Sequence, residues 1–211
     1  ATSHPPQAAF PARPASFVVE PHMLLSAKDL CSLPFIDKLM AAGIASFKIE
    51  GRARNPEYVA TVVAAYRAAV DAVAAGTYTK ALVDKLVSDV SKVFHREFNF
   101  GLFFGRPGVD QFSDREDSIA TTVKRQIGYV LDYFAKAGVA QVQVQDHPIA
   151  VGDTVQIHGP STGVVETKIA ALRRDATPLD RAEKGAWVTF PCPRVRANDR
   201  VFLIESRRPG R

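Results

Sequence analysis

Residues 45–63 read ASFKIEGRARNPEYVATVV. Phe47 and Ile49 alternate, so Ile44–Ile49 is expected to be a strand. It runs straight into Glu50-Gly51-Arg52. Asn55-Pro56 then supplies a cap residue and a first-turn proline for a helix. Val59, Val62, Val63, Tyr66, Val70 and Val73 recur at helical spacing, and Gly76 is placed to end that helix.

Upstream, Ser32-Leu33-Pro34 opens another helix, with Phe35, Ile36, Leu39 and Met40 on one face and Gly43 at its end. Downstream, a third helix begins near Lys80, with Leu82, Val83, Leu86, Val87, Val90, Val93 and Phe94 as its apolar side. The order is helix, strand, helix, helix. A lone strand leaves its backbone groups without neighbours, so residues 23–95 are expected to be the end of an α/β domain whose other strands lie elsewhere.

Residues 1–22 carry five prolines and no period, and are expected to be extended. Residues 96–123, with Gly101, Gly105, Pro107 and Gly108, are expected to be a connector. From residue 124 the period becomes two, with strands expected over Ile127–Phe134, Val139–Gln145, Thr154–His158, Val164–Leu172, Ala186–Phe190 and Arg200–Ile204. Turn signals at Gly138, Gly152-Asp153, Gly159-Pro160 and Gly185 separate them. This spacing predicts a small closed β-barrel or a sandwich, and the whole chain an α+β fold.

The chain has 211 residues, 46% hydrophobic and 23% charged, as in an ordinary globular protein. Its formal charge of +5 is unevenly placed: Lys+Arg and Asp+Glu balance at 13 each through residue 123, whereas residues 124–211 hold 14 against 9. A basic β-domain either solvates its charges or meets phosphate. Thr61, Arg67 and Asp71 interrupt the most apolar stretch, Val59 to Ala75, so no membrane span is expected. No export signal is read, and the missing initiator Met fits a partial or processed chain. Cys31 and Cys192 stand far apart without motif partners, which favours a reducing cytoplasm over a disulfide framework.

Glu50 and Arg52 are two positions apart and can point the same way. Arg52 can grip a carboxylate or phosphate with paired hydrogen bonds. Glu50 can accept from a hydroxyl or act as a base, and the helix start at Asn55 attracts anions weakly. The alternative is a structural ion pair. His95, His147 and His158 lack metal-ligand spacing. Neither a Gly-rich phosphate loop nor a serine elbow motif occurs.

The runs SAKDLC (Ser26 to Cys31), SFKIEGR (Ser46 to Arg52), NPEYVATVVAAY (Asn55 to Tyr66) and HREFNFGLFFGRP (His95 to Pro107) closely resemble the collagenase-like peptidase family U32. The resemblance spans roughly residues 13 to 205 and aligns to the last part of the family's catalytic domain and the domain behind it. It implies a (β/α) barrel whose earlier strands precede Ala1, with Lys48, Glu50 and Arg52 in its last portion as candidate catalytic residues. Asn55 and Arg96 are candidate substrate contacts. Members were named as peptidases; several resemble hydroxylation factors acting on transfer RNA, ribosomal RNA or a quinone precursor. Some of those hold an iron–sulfur cluster on four cysteines, one of them in an Asp-Leu-Cys motif that here is Asp29-Leu30-Cys31. The other three have no counterpart and Cys192 matches none. No cofactor is therefore expected in this chain, with Cys31 a cluster ligand only in a full-length parent. Where the family has Arg-Gly-Phe, this chain reads Arg96-Glu97-Phe98.

The later residues resemble the β-barrel of translation factors, the second domain of elongation factor Tu. The resemblance is carried by IGYVLDYF (Ile127 to Phe134), GVAQV from Gly138, VGDTVQIHGP (Val151 to Pro160), Ser161-Thr162-Gly163, Lys168 and VRANDRVF (Val195 to Phe202). It implies docking against structured RNA. Lys168, Arg173, Arg174, Arg194, Arg196 and Arg200 could neutralise phosphates, and Trp187 is expected in the core. The leading functional expectation is a C-terminal portion supporting hydroxylation of transfer or ribosomal RNA, partnered by the missing barrel region or another subunit. The alternatives are a peptidase and a non-catalytic binding module.

Overall fold

The computed structural model describes residues 27–93, 95–105, 112–113, 118–175 and 177–207. The Pro-rich segment 1–22, Phe94, Pro107, Gly108 and the terminal Arg208 and Arg211 lie outside the described residues.

The helical part opens with a short strand β1 (Asp29–Leu30), a 3-10 turn (Leu33–Phe35) and α1 (Ile36–Ala41). The long helix α2 (Pro56–Ala74) and α3 (Lys80–Val90) follow. Pro56 starts α2 as expected, but Asn55, though extended at the N-cap, makes no side-chain cap bond. Thr79 does cap α3, accepting the Leu82 amide at 3.3 Å. Gly76, at φ +69, turns the chain out of α2. The most buried side of α2 is Val62, Ala65, Ala69 and Ala72; Tyr66, Val70 and Val73 of the expected stripe pack against the same cluster half-buried, while Val63 is exposed. Small residues let the helices approach: Cys31, Leu33, Ile36, Leu86 and Val90 pack with them in one apolar cluster.

The expected strand Ile44–Ile49 is not a strand. These residues are irregular, although Phe47 and Ile49 still pack on the helical cluster. An extended segment becomes a strand only when its backbone groups find a ladder, and among the described residues none flanks it. Parallel pairing occurs elsewhere: β1 pairs with β2 (Phe98–Asn99), inside the expected connector, with Asp29 opposite Phe98 and Leu30 opposite Asn99.

From Thr122 the chain is β. The strands are β3 (Thr122–Phe134), β4 (Val139–Val144), β5 (Ile149–Ala150), β6 (Thr154–Gly159), β7 (Gly163–Lys168), β8 (Leu172–Arg174), β9 (Thr177–Leu179), β10 (Arg181–Ala182), β11 (Trp187–Pro191) and β12 (Arg200–Ser206). Eight of them form one antiparallel sheet in the order β7-β6-β12-β3-β4-β11-β8-β9, and β5 pairs with β10 separately. The expected closed barrel is corrected: β7 and β9 end the sheet without pairing to each other. The single strand expected over Val164–Leu172 splits in two, because Ile169 turns inward, fully buried, and the chain leaves β7 to begin β8. Alternation nevertheless builds the core as anticipated, with Ile127, Val130, Val142, Val144, Val155, Ile157, Phe190 and Val201 together and almost fully buried.

Candidate functional site

Lys48, Glu50, Arg52 and Asn55 all lie exposed on the segment between α1 and α2. Glu50 is not an ion-pair partner of Arg52. Its Oε1 accepts the Arg52 backbone amide at 2.8 Å, so the carboxylate closes its own turn. The Arg54 amide then donates to the Gly51 carbonyl at 3.0 Å. Glycine is required between the two charged residues for space: a Cβ at Gly51 would stand 2.7 Å from Cγ2 of Val59 on α2. The Arg52 guanidinium is thereby left facing water.

The turn delivers a residue that sequence spacing did not single out. Arg54 pairs with Asp29 at 2.6 Å, and its guanidinium lies 5.0 Å from the centre of the Tyr58 ring. Asp29 is the hub. Its other oxygen accepts the Arg96 amide at 2.9 Å, while its own amide donates to the Glu97 carbonyl at 2.9 Å. Burial pushes the Tyr58 phenol pKa up; Arg54 opposes this, and the charges of Asp29, Cys31 and Glu50 add to it. Tyr58 thus stands within electrostatic reach of both the Glu50 turn and the Asp29 hub.

His95 is 5% exposed and stacks on Phe98, with ring centres 4.5 Å apart and planes at 11°. Its Nδ1 accepts the Glu97 amide at 3.2 Å. Burial holds its pKa below the ordinary histidine value; the Ser91 backbone, Asp29 and Glu97 oppose that, and Arg54 adds to it. Glu97 itself takes φ +70, the left-handed region where glycine is at ease, and its carboxylate meets Lys28 at 2.7 Å. The turn that the resemblance assigns to glycine is therefore made here by a glutamate under strain.

Cys31 lies on the far side of β1, 4% exposed. Burial raises its thiol pKa more than the Leu33 amide and Tyr66 hydroxyl lower it, so the thiol stays protonated at neutral pH. Cys192, pushed up to about 11 by burial, packs against the other core. Among the described residues no group of three or more His, Cys, Asp or Glu could hold a metal ion. A single protonated thiol does not fit a four-thiolate cluster.

The six basic candidates of the sheet are all exposed but are not one patch. Lys168 ends β7 and Arg173 and Arg174 lie on β8 just beyond it. Arg194 and Arg196 precede β12, where Arg196 donates to the Thr162 hydroxyl at 3.3 Å beside the start of β7. β7 is the first strand in the sheet order and β8 the seventh, and Arg200 opens β12, the third. Trp187 is corrected from core to half-buried, and the Arg174 guanidinium lies 5.9 Å from its ring centre.

Helices and sheet meet around a cleft of about 830 Å³, lined among others by Asn55, Glu57, Lys124, Gln156 and Glu166. Glu57, in the first turn of α2, reaches Lys124 on β3 at 2.5 Å and lies 4.0 Å from His158 on β6. Neither this contact nor the Asp29 hub has a local sequence signature. Asp29, Arg54 and Arg96 are dozens of residues apart, and an acid in a first helical turn ordinarily serves the helix dipole.

Residues 13–113 match peptidase family U32. A collagenase of Porphyromonas gingivalis (strain ATCC BAA-308 / W83) is 35% identical over 190 residues, 90% of this chain and 46% of that protein. A tRNA hydroxylation protein P1 of Bacillus subtilis (strain 168) is 33% identical over 147 residues, 68% of this chain and 34% of that protein. A tRNA hydroxylation protein P of Haemophilus influenzae (strain ATCC 51907 / DSM 11121 / KW20 / Rd) is 30% identical over 149 residues, 70% of this chain and 31% of that protein. The chain spans about half the length, or less, of the curated relatives it matches. No helix among the described residues is long and apolar enough to cross a membrane.

Proposed function

We propose, from the premise that residues 13–113 are a peptidase family U32 domain, that this chain supports hydroxylation of transfer RNA and that its β-sheet docks the RNA. The observation that carries the reading is the exposed pair Arg173 and Arg174 beside the half-buried indole of Trp187, whose ring centre lies 5.9 Å from the Arg174 guanidinium. Cations neutralise phosphates and the indole offers a surface on which an unpaired base stacks. The excess positive charge of residues 124–211 supports it. The chemistry is shared with a further polypeptide region or subunit, to which the Glu50–Arg54 turn and the Asp29 hub present Arg52 and Tyr58. An iron–sulfur group, with Cys31 as one ligand, belongs to that larger assembly, in a reducing cytoplasm.

The test is binding of transfer RNA to the full 211-residue chain across a salt series. Each phosphate neutralised contributes about −0.9 to the slope of log K against log salt. Arg173→Ala/Arg174→Ala is expected to lower that slope by about 2, and Trp187→Ala to weaken binding at every salt concentration. Affinity no greater than for an acidic control polymer removes the RNA reading.

A second reading, peptide hydrolysis, is favoured by one observation: the P. gingivalis collagenase matches 90% of this chain, through helices and sheet alike. Specific gelatin cleavage that is lost in Glu50→Ala or Arg52→Ala would establish it over the first.

A further inference from the structure

Three exposed arginines lie within residues 194–200. Arg194 and Arg196 flank Val195, which is 2% exposed, so both side chains leave the core on one face. Arg200 opens β12 between Asp199 and Val201, both buried. Among the described residues none of the three makes an ion pair.

The loop that carries them is pinned. The Asp199 amide donates to the Arg196 carbonyl at 3.2 Å, and Asn198 takes φ +69, a left-handed conformation that asparagine tolerates. The Asn198 amide donates to the Val130 carbonyl at 2.8 Å and the Val130 amide to the Asp199 carbonyl at 2.9 Å, which ties the turn to β3. The Asp199 side chain, 3% exposed, then reaches the turn between β6 and β7. Its Oδ2 accepts the Arg196 amide at 2.8 Å and the Thr162 hydroxyl at 2.5 Å. Arg196 Nη1 donates to that same hydroxyl at 3.3 Å. Guanidinium, hydroxyl, carboxylate and amide thus close one ring. The β6–β7 turn leaves the carboxylate its space: a Cβ at Gly159 would stand 1.7 Å from Oδ1.

Three cations around one buried acid leave this end of the sheet positive. The planar fork of arginine matches phosphate oxygens, and a loop already held in place loses little freedom on binding. We propose that residues 194–200, with Thr162, form a second contact surface for RNA phosphates, and that Asp199 is its positioning residue. The identity of the partner rests on the RNA reading above; the pinned cluster of unpaired arginines does not. In the sheet, β3, β4 and β11 stand between this surface on β12 and Arg173 and Arg174 on β8.

The test is binding of transfer RNA to the full chain across a salt series, with polyglutamate as a second acidic polymer. Arg194→Gln/Arg196→Gln is expected to lower the slope of log K against log salt by about 2, each phosphate contact contributing about 0.9. Thr162→Val keeps every charge but opens the ring. It is expected to keep the circular dichroism spectrum and the slope, and to weaken binding about threefold to tenfold at every salt concentration. Thr162→Ser is expected to restore the affinity. A wild-type slope in the double arginine variant overturns this surface and leaves the RNA reading standing. Wild-type affinity in Thr162→Val overturns the positioning role of Asp199. A slope lowered here but not by Arg173→Ala/Arg174→Ala supports this surface against the one beside Trp187. Polyglutamate that binds as tightly as transfer RNA, and weakens in the same variants, overturns RNA as the partner. Absence of any transfer RNA binding removes the RNA reading, and this surface with it.

Discussion

Glu57 and Lys124 meet at 2.5 Å between the first turn of α2 and the strand β3, with 14% and 24% of their side chains exposed. The Lys124 ammonium also lies 4.7 Å from the centre of the Phe202 ring, on which His158 packs at 4.7 Å. The second Glu57 oxygen is buried without a hydrogen-bond partner. The contact joins the helices to the sheet together with two others: the Thr121 amide donates to the Ser91 carbonyl at 3.0 Å and the Thr122 hydroxyl to the Lys92 carbonyl at 2.7 Å.

Removing one partner strands the other in a poorly hydrated place. Glu57→Gln and Lys124→Met are each expected to destabilise the chain by about 1–3 kcal/mol. The double variant should lose less than the sum, with a coupling of about 1 kcal/mol or more in a urea double-mutant cycle. Additive losses would show that the pair holds nothing together.

Stability should fall as the solution is acidified through the histidine range. Burial, with Lys124, depresses the His158 pKa from 6.5 against the opposing pull of Glu57, and burial depresses that of His95 from the same value. The unfolded chain takes up protons below that value which the folded chain refuses, so unfolding free energy drops with falling pH until the folded-state pKa values are passed. His158→Asn, which keeps a polar group beside Gln156, should flatten the decline between pH 7 and 5 in a series of urea titrations. An unchanged slope in His158→Asn, or stability rising toward acid, would contradict this.

Glu97 holds a left-handed backbone, φ +70, that a side chain resists. Glu97→Ala and Glu97→Gly both lose the ion pair to Lys28, but only glycine relieves the backbone. The glycine variant is expected to be more stable than the alanine variant by about 1 kcal/mol, the strain relieved exceeding the added entropy of the unfolded chain. Thermal unfolding of the two side by side decides it.

What was legible in the sequence was local. The starts of α2 at Pro56 and of α3 near Lys80 and the alternating strands of the sheet could be read because each depends on residues a few positions apart. Ile44–Ile49 carries the right alternation yet forms no ladder, since pairing is a property of neighbours rather than of the segment itself. Closure of the sheet was not legible for the same reason: β8 and β9 are three residues long, too short for any period, and they form the edge at which the sheet ends. Of the site, the Glu50-Gly51-Arg52 turn was visible because its three residues are consecutive. The Asp29 hub and the Glu57–Lys124 contact were not, since each joins residues separated by 25 or more positions. Trp187 was misplaced because strand alternation reports which face a side chain takes, not whether that face is covered.

Gly51 stands against α2 with no room for a side chain. Its Cα approaches Val59 so closely that any β-carbon would sit 2.7 Å from Cγ2, a distance at which something must move. Valine is stiff at χ1 and cannot swing clear cheaply. Gly51→Ala is therefore expected to cost about 1–3 kcal/mol by overpacking and to displace the turn in which Glu50 accepts the Arg52 amide. If the clash is the cause, Val59→Ala in the same chain should recover most of that loss, because the β-carbon of residue 51 then has room. The pair is measured by urea unfolding and by the Arg52 amide chemical shift, which reports whether the Glu50 bond has re-formed. Recovery of stability together with the amide shift shows that this glycine is present for the approach of α2. Loss of stability that Val59→Ala fails to repair would place the requirement in the backbone of the turn instead.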